Sequence, residues 1–369
     1  MRRRWLLLTT DFPPSTGGIQ QLLWKLASGL AATDSVIVVA PAARGDREFD
    51  RQQSIVTVRV PLLRWRVFSI AALWIWALAA IIRYRPTAII CGHAMMGPAA
   101  AVARIVGRIP VVAMVYGSEV RSPRILPLAT LTMNTANRVV TISRFTASEI
   151  KSHGIAAESI AVIPPGAGGE QYDCVDAGST NGHVLLSVSR LADRYKGHDM
   201  VLRALPLIRG RVPDVRYVIA GDGPLRPFLE RMAVALGVAD AVQFVGEIDA
   251  HELDAWYRRC DLFVLASREE ASAGGAEGFG LVFIEAALRG KPSLGGRSGG
   301  IPDAVLDGVT GVLVDPQDPV AIARAAIDLL SNPARAASLG AAARARAENE
   351  LSWRAYIAAF REVLDQTLH

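Results

Sequence analysis

Cysteine is scarce in this chain. Of 369 residues only three are cysteines, Cys91, Cys174 and Cys260, widely separated and without a CxxC pair. That excludes a disulfide-stapled scaffold and a thiolate zinc site, and it fits a reducing cytoplasm. An imbalance of charge is also small. Forty Lys and Arg against 35 Asp and Glu leave a net +5, with the surplus in arginine. Such a surplus suits anionic substrates or an anionic membrane surface and is weak evidence for nucleic acid, which is not an expected partner. Long apolar runs are few. Arg2, Arg3 and Arg4 before Trp5 to Leu8 resemble the start of a signal peptide, but the run is cut short by a polar segment with Asp11. It reads as a first strand. The longest run, Val67 to Ile82, is apolar except for Ser69, lies among Trp65, Trp74 and Trp76, and is flanked by Arg64, Arg66, Arg83 and Arg85. As a helix it spans about 24 Å, less than the roughly 30 Å of a hydrocarbon core. A helix packed against a sheet is expected there. The alternative is an interfacial helix with its arginines at the headgroups, giving peripheral contact at the inner face of the membrane.

What is present is an alternation of short apolar runs with helical patterns. The length exceeds what a single core usually supports, so two domains are expected. Trp5 to Thr9, Val36 to Val39, Ala88 to Ile90, Val111 to Val115 and Val139 to Ile142 read as buried strands. Between the first two lie Gly17-Gly18 and then Ile19, Leu22, Leu23, Leu26 and Leu30 at helical spacing, which makes a first βα unit. A Pro-, Gly- and Asp-rich stretch at 166–182 reads as a linker. Alternation then restarts with Val184 to Val188, Tyr217 to Ala220, Val242 to Val245, Asp261 to Leu265, Pro292 to Gly295 and Gly311 to Val314. The expected fold is α/β: two doubly wound Rossmann-like domains facing across a cleft, at 1–165 and 183–345. A C-terminal helix within 346–369 is expected to pack back on the first domain. Ligands of such sheets bind beyond the strand C-terminal ends.

One stretch organises the second half, SREEASAGGAEGFGLVFIEA from Ser267 to Ala286. A strand that turns through glycines into a helix offers free N–H groups and the positive end of a helix dipole, which favour phosphate. Glu277 and Glu285 bracket the turn. On a continuous helix they would stand about 80° apart, so a catalytic pair on one face is not expected. Glu277 on the loop and Glu285 one turn inside the helix would instead accept hydrogen bonds from hydroxyls of one extended ligand. Just past the second domain's first strand, Arg190 and Lys196 in SRLADRYKGHD supply two cations at a strand end. With the turn at Phe279 and Gly280 they compose a diphosphate site, each charge-assisted bond being worth about 1.5–3 kcal/mol. Gly221-Asp222-Gly223-Pro224 reads as a structural turn at the same edge.

Taken in order, SRL-x4-KG-H, IAGDGP, FVG, E-GFGLVFIE-A, SGGIPDAV and DGVTGVLV resemble the donor-binding domain of family 4 glycosyltransferases of the GT-B fold. DFPPSTGGIQ, VYGSEV and SRFTASEI resemble the acceptor domain of that family, so the likeness covers nearly the whole chain. The loop REEASAGGAEGFG looks closest to phosphatidylinositol mannosyltransferase-like and polysaccharide-type members. The resemblance implies an enzyme that moves a hexosyl group, with retention and without a metal or other cofactor, from a GDP- or UDP-linked sugar to a hydroxyl of a lipid-linked, glycan or small-molecule acceptor. It implies Arg190 and Lys196 on the diphosphate, Glu285 on the ribose and Glu277 on the sugar. The backbone from Gly278 through Phe279, Gly280, Leu281 and Val282 would lie on sugar and phosphate, Ile248 would meet the nucleobase, and Gly17 and Gly18 would approach from the first domain. Many members have histidine where this chain has Tyr116. A phenol is a poor base near neutrality, so the departing phosphate would assist the acceptor, with His93 sharing the role and Glu119 on the acceptor side. The rival readings are a nucleotide-sugar-binding partner subunit without turnover, and a two-domain nucleotide-sugar epimerase.

Overall fold

The computed structural model describes residues 3–168, 182–270 and 275–368. Cys174, most of the 166–182 stretch and residues 271–274 of the glycine-bearing loop lie outside them. The chain divides into two compact units, Met1–Gly166 with Trp353–His369, and Ala167–Ser352.

Unit 1 is built on β1 (Arg4–Leu8), β2 (Ser35–Pro41), β3 (Val56–Val60), β4 (Ala88–Cys91), β5 (Val111–Val115), β6 (Arg138–Thr141) and β7 (Ile160–Val162). They form one parallel sheet in the order β3-β2-β1-β4-β5-β6-β7. Helices cover both faces, so the central strands are buried on both sides and read as continuous apolar runs. In β1 the alternation is plain. Trp5 and Leu7 face the helices Gly18–Ala31 and Trp353–Leu368, while Leu6 and Leu8 face the helices Arg66–Tyr84 and Gly97–Val106. The edge strands β3 and β7 are absent from the sequence reading; both are short and partly exposed.

The chain's last helix starts at Trp353, and residues 346–352 belong to unit 2, where the helix Pro333–Asn349 ends. Trp353–Leu368 buries Tyr356, Phe360 and Leu364 against Leu22, Leu23 and Leu26. Arg361 donates to Asp34 and to the carbonyls of Gly29 and Leu30. The helix Arg66–Tyr84 packs on the sheet as expected, through the stripe of Leu73, Ala77 and Ala80, and 22% of its apolar window is buried.

Unit 2 carries β8 (Val184–Val188), β9 (Arg216–Ala220), β10 (Val242–Gly246), β11 (Leu262–Leu265), β12 (Ser293–Gly296) and β13 (Gly311–Val314) in the parallel order β10-β9-β8-β11-β12-β13. Strand order reverses between β1 and β4 in unit 1 and between β8 and β11 in unit 2. A parallel sheet opens a crevice at such a point, because the crossovers leave it on opposite faces.

Candidate functional site

The crevice in unit 2 lies between the loops that leave β8 and β11. The first loop carries Arg190 and Lys196, the second Glu277 and the turn into the helix Leu281–Leu288. Lys196 Nζ donates to Glu277 Oε2 at 2.7 Å, with the two side chains 17% and 15% exposed. Burial alone would lower the lysine's pKa; the Glu277 carboxylate outweighs it and holds the ammonium above its ordinary range. Arg190 is exposed at the strand end. Its loop is strapped to the turn after β9 by Leu191 N–H to Asp222 O and Leu225 N–H to Leu191 O, both 2.8 Å. A Cβ on Gly221 would stand 2.0 Å from the Ser189 carbonyl, so only glycine fits there.

Gly280, at φ 93°, turns the chain into the helix Leu281–Leu288, whose N-terminus has no side-chain cap and no acidic residue in its first turn. Such an end is an anion site. Phe279 buries its ring, so a ligand would meet its backbone only. Glu277 precedes the helix, and Glu285 stands one turn inside it. The Glu277–Gly278 segment is held from below by Gly299 and Gly300. Gly300 N–H donates to Glu277 O at 2.8 Å, and a Cβ on Gly300 would come within 2.0 Å of Gly278 O. Glu285 Oε2 accepts from the buried Tyr257 hydroxyl at 2.7 Å. Tyr257 has no marker in the sequence, since it lies 28 residues away on the helix Ala250–Arg259. Ile248 is half-buried just after β10.

A buried polar chain supports the β8 loop, and the sequence reading missed it. Ser187 Oγ donates to Val264 O and therefore accepts from the Tyr217 hydroxyl at 2.9 Å. Tyr217 in turn accepts from His198 Nδ1–H at 2.9 Å, which leaves His198 Nε2 to accept from Ser189 Oγ at 2.7 Å. Ser189 and His198 thus tie together the two ends of the loop bearing Arg190 and Lys196. Burial, and then the Lys196 charge, push the His198 pKa down to about 4, so the imidazole is neutral near pH 7.

In unit 1 the corresponding crevice gathers Asp11 after β1, His93 after β4, and Tyr116 with Glu119 after β5. Asp11 is fixed by Thr10 and Gln20, both at 2.9 Å. His93 Nδ1 caps a turn by accepting the Met95 N–H at 3.1 Å, which leaves Nε2 3.7 Å from Asp11 Oδ2. Asp11 is a further residue without a role in the sequence reading. Gly17 and Gly18 open the helix Gly18–Ala31, which also lacks a side-chain cap. Tyr116 departs from expectation. Its ring is 7% exposed within the core, and its hydroxyl donates to Gly92 O at 3.0 Å. Burial lifts its pKa well above the ordinary value. The phenol is a strut between two strand ends, its hydroxyl engaged by the Gly92 carbonyl. Glu119 is likewise buried, at 1% exposure. Its Oε2 accepts from Tyr116 N–H at 3.2 Å and Ser118 Oγ at 3.3 Å, while its Oε1 has no partner among the described residues. Burial raises its pKa against those bonds and the nearby His93.

Two parallel-sheet units, one of them with two cations, a bare helix end and two carboxylates at its switch point, are the architecture of the GT-B fold. The comparisons agree. A profile of glycosyl transferases group 1 matches residues 177–346, and one of glycosyltransferase family 4 matches 16–167. A Mycolicibacterium smegmatis protein, GDP-mannose-dependent alpha-(1-6)-phosphatidylinositol monomannoside mannosyltransferase, is 36% identical over 97% of both chains. A Corynebacterium glutamicum mannosyltransferase for the monoacylated form of that lipid is 29% identical over 95% of both. Among solved structures, Anabaena HepE with UDP and glucose superposes with TM-score 0.78 at 21% identity, covering 99% of this chain and 100% of that one. Sucrose-phosphate synthase of Thermosynechococcus elongatus gives 0.80 at 21% identity, covering 99% of each. The chain belongs to glycosyltransferase family 4.

Proposed function

We propose that this enzyme transfers a mannosyl group from GDP-mannose to a hydroxyl of a phosphoinositol-mannoside-type lipid acceptor, with retention and without a metal ion. The observation that carries the donor site is the meeting of Lys196, Glu277 and the bare Gly280 helix end at the β8/β11 switch point. The named activity of relatives alignable over almost the entire chain supports the sugar, the nucleotide and the lipid.

In this reading Arg190 and Lys196 neutralise the diphosphate as the bond from sugar C1 to the phosphate oxygen breaks, and GDP leaves with the electron pair. The acceptor oxygen attacks C1 from the same face, and its proton passes to the departing phosphate. Glu277, engaged by Lys196, is a weak nucleophile and serves as an acceptor for sugar hydroxyls. Glu285, aligned by Tyr257, takes the ribose. On the acceptor side Asp11 and His93 supply the polar groups, with the buried Glu119 behind them holding the Tyr116 backbone and Ser118. A soluble sugar nucleotide and a lipid acceptor meet at the cytoplasmic membrane face, where we place the reaction.

Purified protein given radiolabelled GDP-mannose and phosphatidylinositol monomannoside should release GDP and form mannolipid, with UDP-glucose inert. Turnover of UDP-glucose alone would reject the donor assignment. Tight GDP-mannose binding with no transfer across an acceptor panel would establish the partner-subunit reading instead.

A further inference from the structure

Behind Glu285 stands a second ion pair that the donor contacts leave unused. The helix Ala250–Arg259 carries Asp254 and Tyr257 three residues apart, and Glu285 and Arg289 lie four apart on the helix Leu281–Leu288 and its C-terminal cap. Spacings of three and four put each pair on one helix face. The two faces meet twice. Tyr257 donates to Glu285 Oε2 at 2.7 Å, and Arg289 Nε donates to Asp254 Oδ1 at 2.8 Å. Arg289 Nη2 is 2.6 Å from an Asp254 carboxylate oxygen, and Nη1 donates to the Glu285 carbonyl at 3.1 Å. Arg289 Cζ also lies 5.7 Å from the centroid of the Tyr257 ring, which packs on Phe263 with centroids 5.9 Å apart. Arg289 thus touches the carboxylate of Asp254, the ring of Tyr257 and the backbone of Glu285.

The Asp254 side chain is 5% exposed and that of Arg289 15%. Apolar side chains of the same volume commonly join buried faces at least as stably, because desolvating two charges cancels most of their attraction. What the charged pair adds is direction. Apolar contact has no preferred angle, whereas a guanidinium fork on a carboxylate fixes the plane of both groups. Asp254 Oδ2 accepts from Arg258 Nε at 2.6 Å, so the carboxylate is held on its other side as well. Burial alone would raise its pKa; Arg258 and Arg289 outweigh it and hold it below the ordinary value, so the pair stays charged near neutrality. Tyr257 needs that support. Its phenol has a single proton, which burial keeps on the oxygen, and it reaches Glu285 Oε2 only while the ring keeps its tilt.

We propose that Arg289 and Asp254 are positioning residues: the pair fixes the Tyr257 ring and, through it, sets the Glu285 carboxylate at the angle that receives the ribose hydroxyls of the nucleotide. This rests on the assignment of Glu285 to the ribose. It adds that two residues which never touch the nucleotide govern how tightly its ribose is held.

The test compares GDP with 2′,3′-dideoxy-GDP, which lacks both hydroxyls, by calorimetry on the full chain. Wild type should bind GDP about tenfold tighter or more. Asp254→Asn/Arg289→Met removes both charges with little change of volume and keeps an acceptor for Arg258, so the melting temperature should stay near wild type. Its preference for GDP should fall about threefold or more. Its affinity for the dideoxy probe should not change, since that probe offers Glu285 no hydroxyl. In turnover the loss should appear in the KM for GDP-mannose rather than in kcat, because the ribose is remote from the bond that breaks. Arg289→Lys keeps the charge but cannot span Asp254 and the Glu285 carbonyl together. Its preference should fall likewise, and it decides the matter should the paired variant not fold. Equal affinity of wild type for the two probes would overturn the ribose assignment, and the proposal with it. A wild-type preference that persists undiminished in the variants, or an equal loss of both probes, would leave that assignment standing and overturn the proposal, the pair then only holding two helices together.

Discussion

Lys196→Ala separates two contributions that one side chain makes. In the absence of substrate its ammonium lies 2.7 Å from Glu277 Oε2, at a site where both side chains are less than one-fifth exposed. Removing one member of a fully buried pair costs about 3–5 kcal/mol, because the other charge is left without a partner. Residual exposure here brings the figure to roughly 2–3 kcal/mol, or a melting temperature lower by roughly 4–12 °C for a unit of this size. The lysine's pKa is raised in the fold, so its contribution is complete below the ordinary value and fades only as pH climbs past it into the alkaline range. Melts at neutral pH therefore see the whole effect. Catalysis loses a charge-assisted hydrogen bond to the diphosphate, about 1.5–3 kcal/mol, or roughly 10- to 150-fold in kcat/KM. Adding Glu277→Gln removes the orphaned carboxylate. The double variant should regain stability to within about 1 kcal/mol while activity stays low. Differential scanning fluorimetry and a GDP-release assay read the two quantities. If activity returns along with stability, the lysine only holds Glu277. A single variant as fast as wild type would end the diphosphate assignment.

The remaining predictions concern the residues behind the contacts. His198 has a folded pKa near 4, below the ordinary 6.5, so the stability it confers is complete above 6.5 and is lost as pH falls from 6.5 to about 4. His198→Asn should remove roughly 3 kcal/mol of that acid sensitivity, and urea unfolding at pH 7 and pH 4 that falls in parallel for both proteins would refute it. Glu119 is buried with its pKa raised, so the fold loses stability as pH rises through the carboxylate range. Glu119→Gln should raise stability at pH 7, and a less stable variant would count against the reading. Tyr257→Phe should weaken GDP binding about 2- to 12-fold through loss of alignment of Glu285, measured by calorimetry. EDTA should leave the transfer rate unchanged, and restoration of a lost rate by a divalent cation would refute the metal-free reading.

Much of this was legible before any coordinates. Central strands of a doubly wound sheet are covered on both faces, so β1, β2, β5, β8 and β11 announce themselves as apolar runs, and each glycine turn follows its strand by local necessity. Glu277 on a loop and Glu285 one turn into a helix could be read from eight residues of spacing. Edge strands β3 and β7 could not: β3 interrupts its apolar residues with Thr57 and Arg59, and β7 is only the three residues Ile160–Val162. The outer face of Arg66–Tyr84 was also hidden, since apolar residues at every position cannot show which side the sheet covers.

The sequence by itself determined the α/β alternation, the family and the residue types of the donor site, all of which rest on contacts between near neighbours in the chain. Tertiary structure decided the rest. It paired Lys196 with Glu277 across 81 residues and Tyr257 with Glu285 across 28. It turned Tyr116 inward, where the motif suggested a sugar contact, and placed Asp11 beside His93. Those outcomes depend on which strands become neighbours, and strand order is set by the packing of whole crossovers, which no local spacing records.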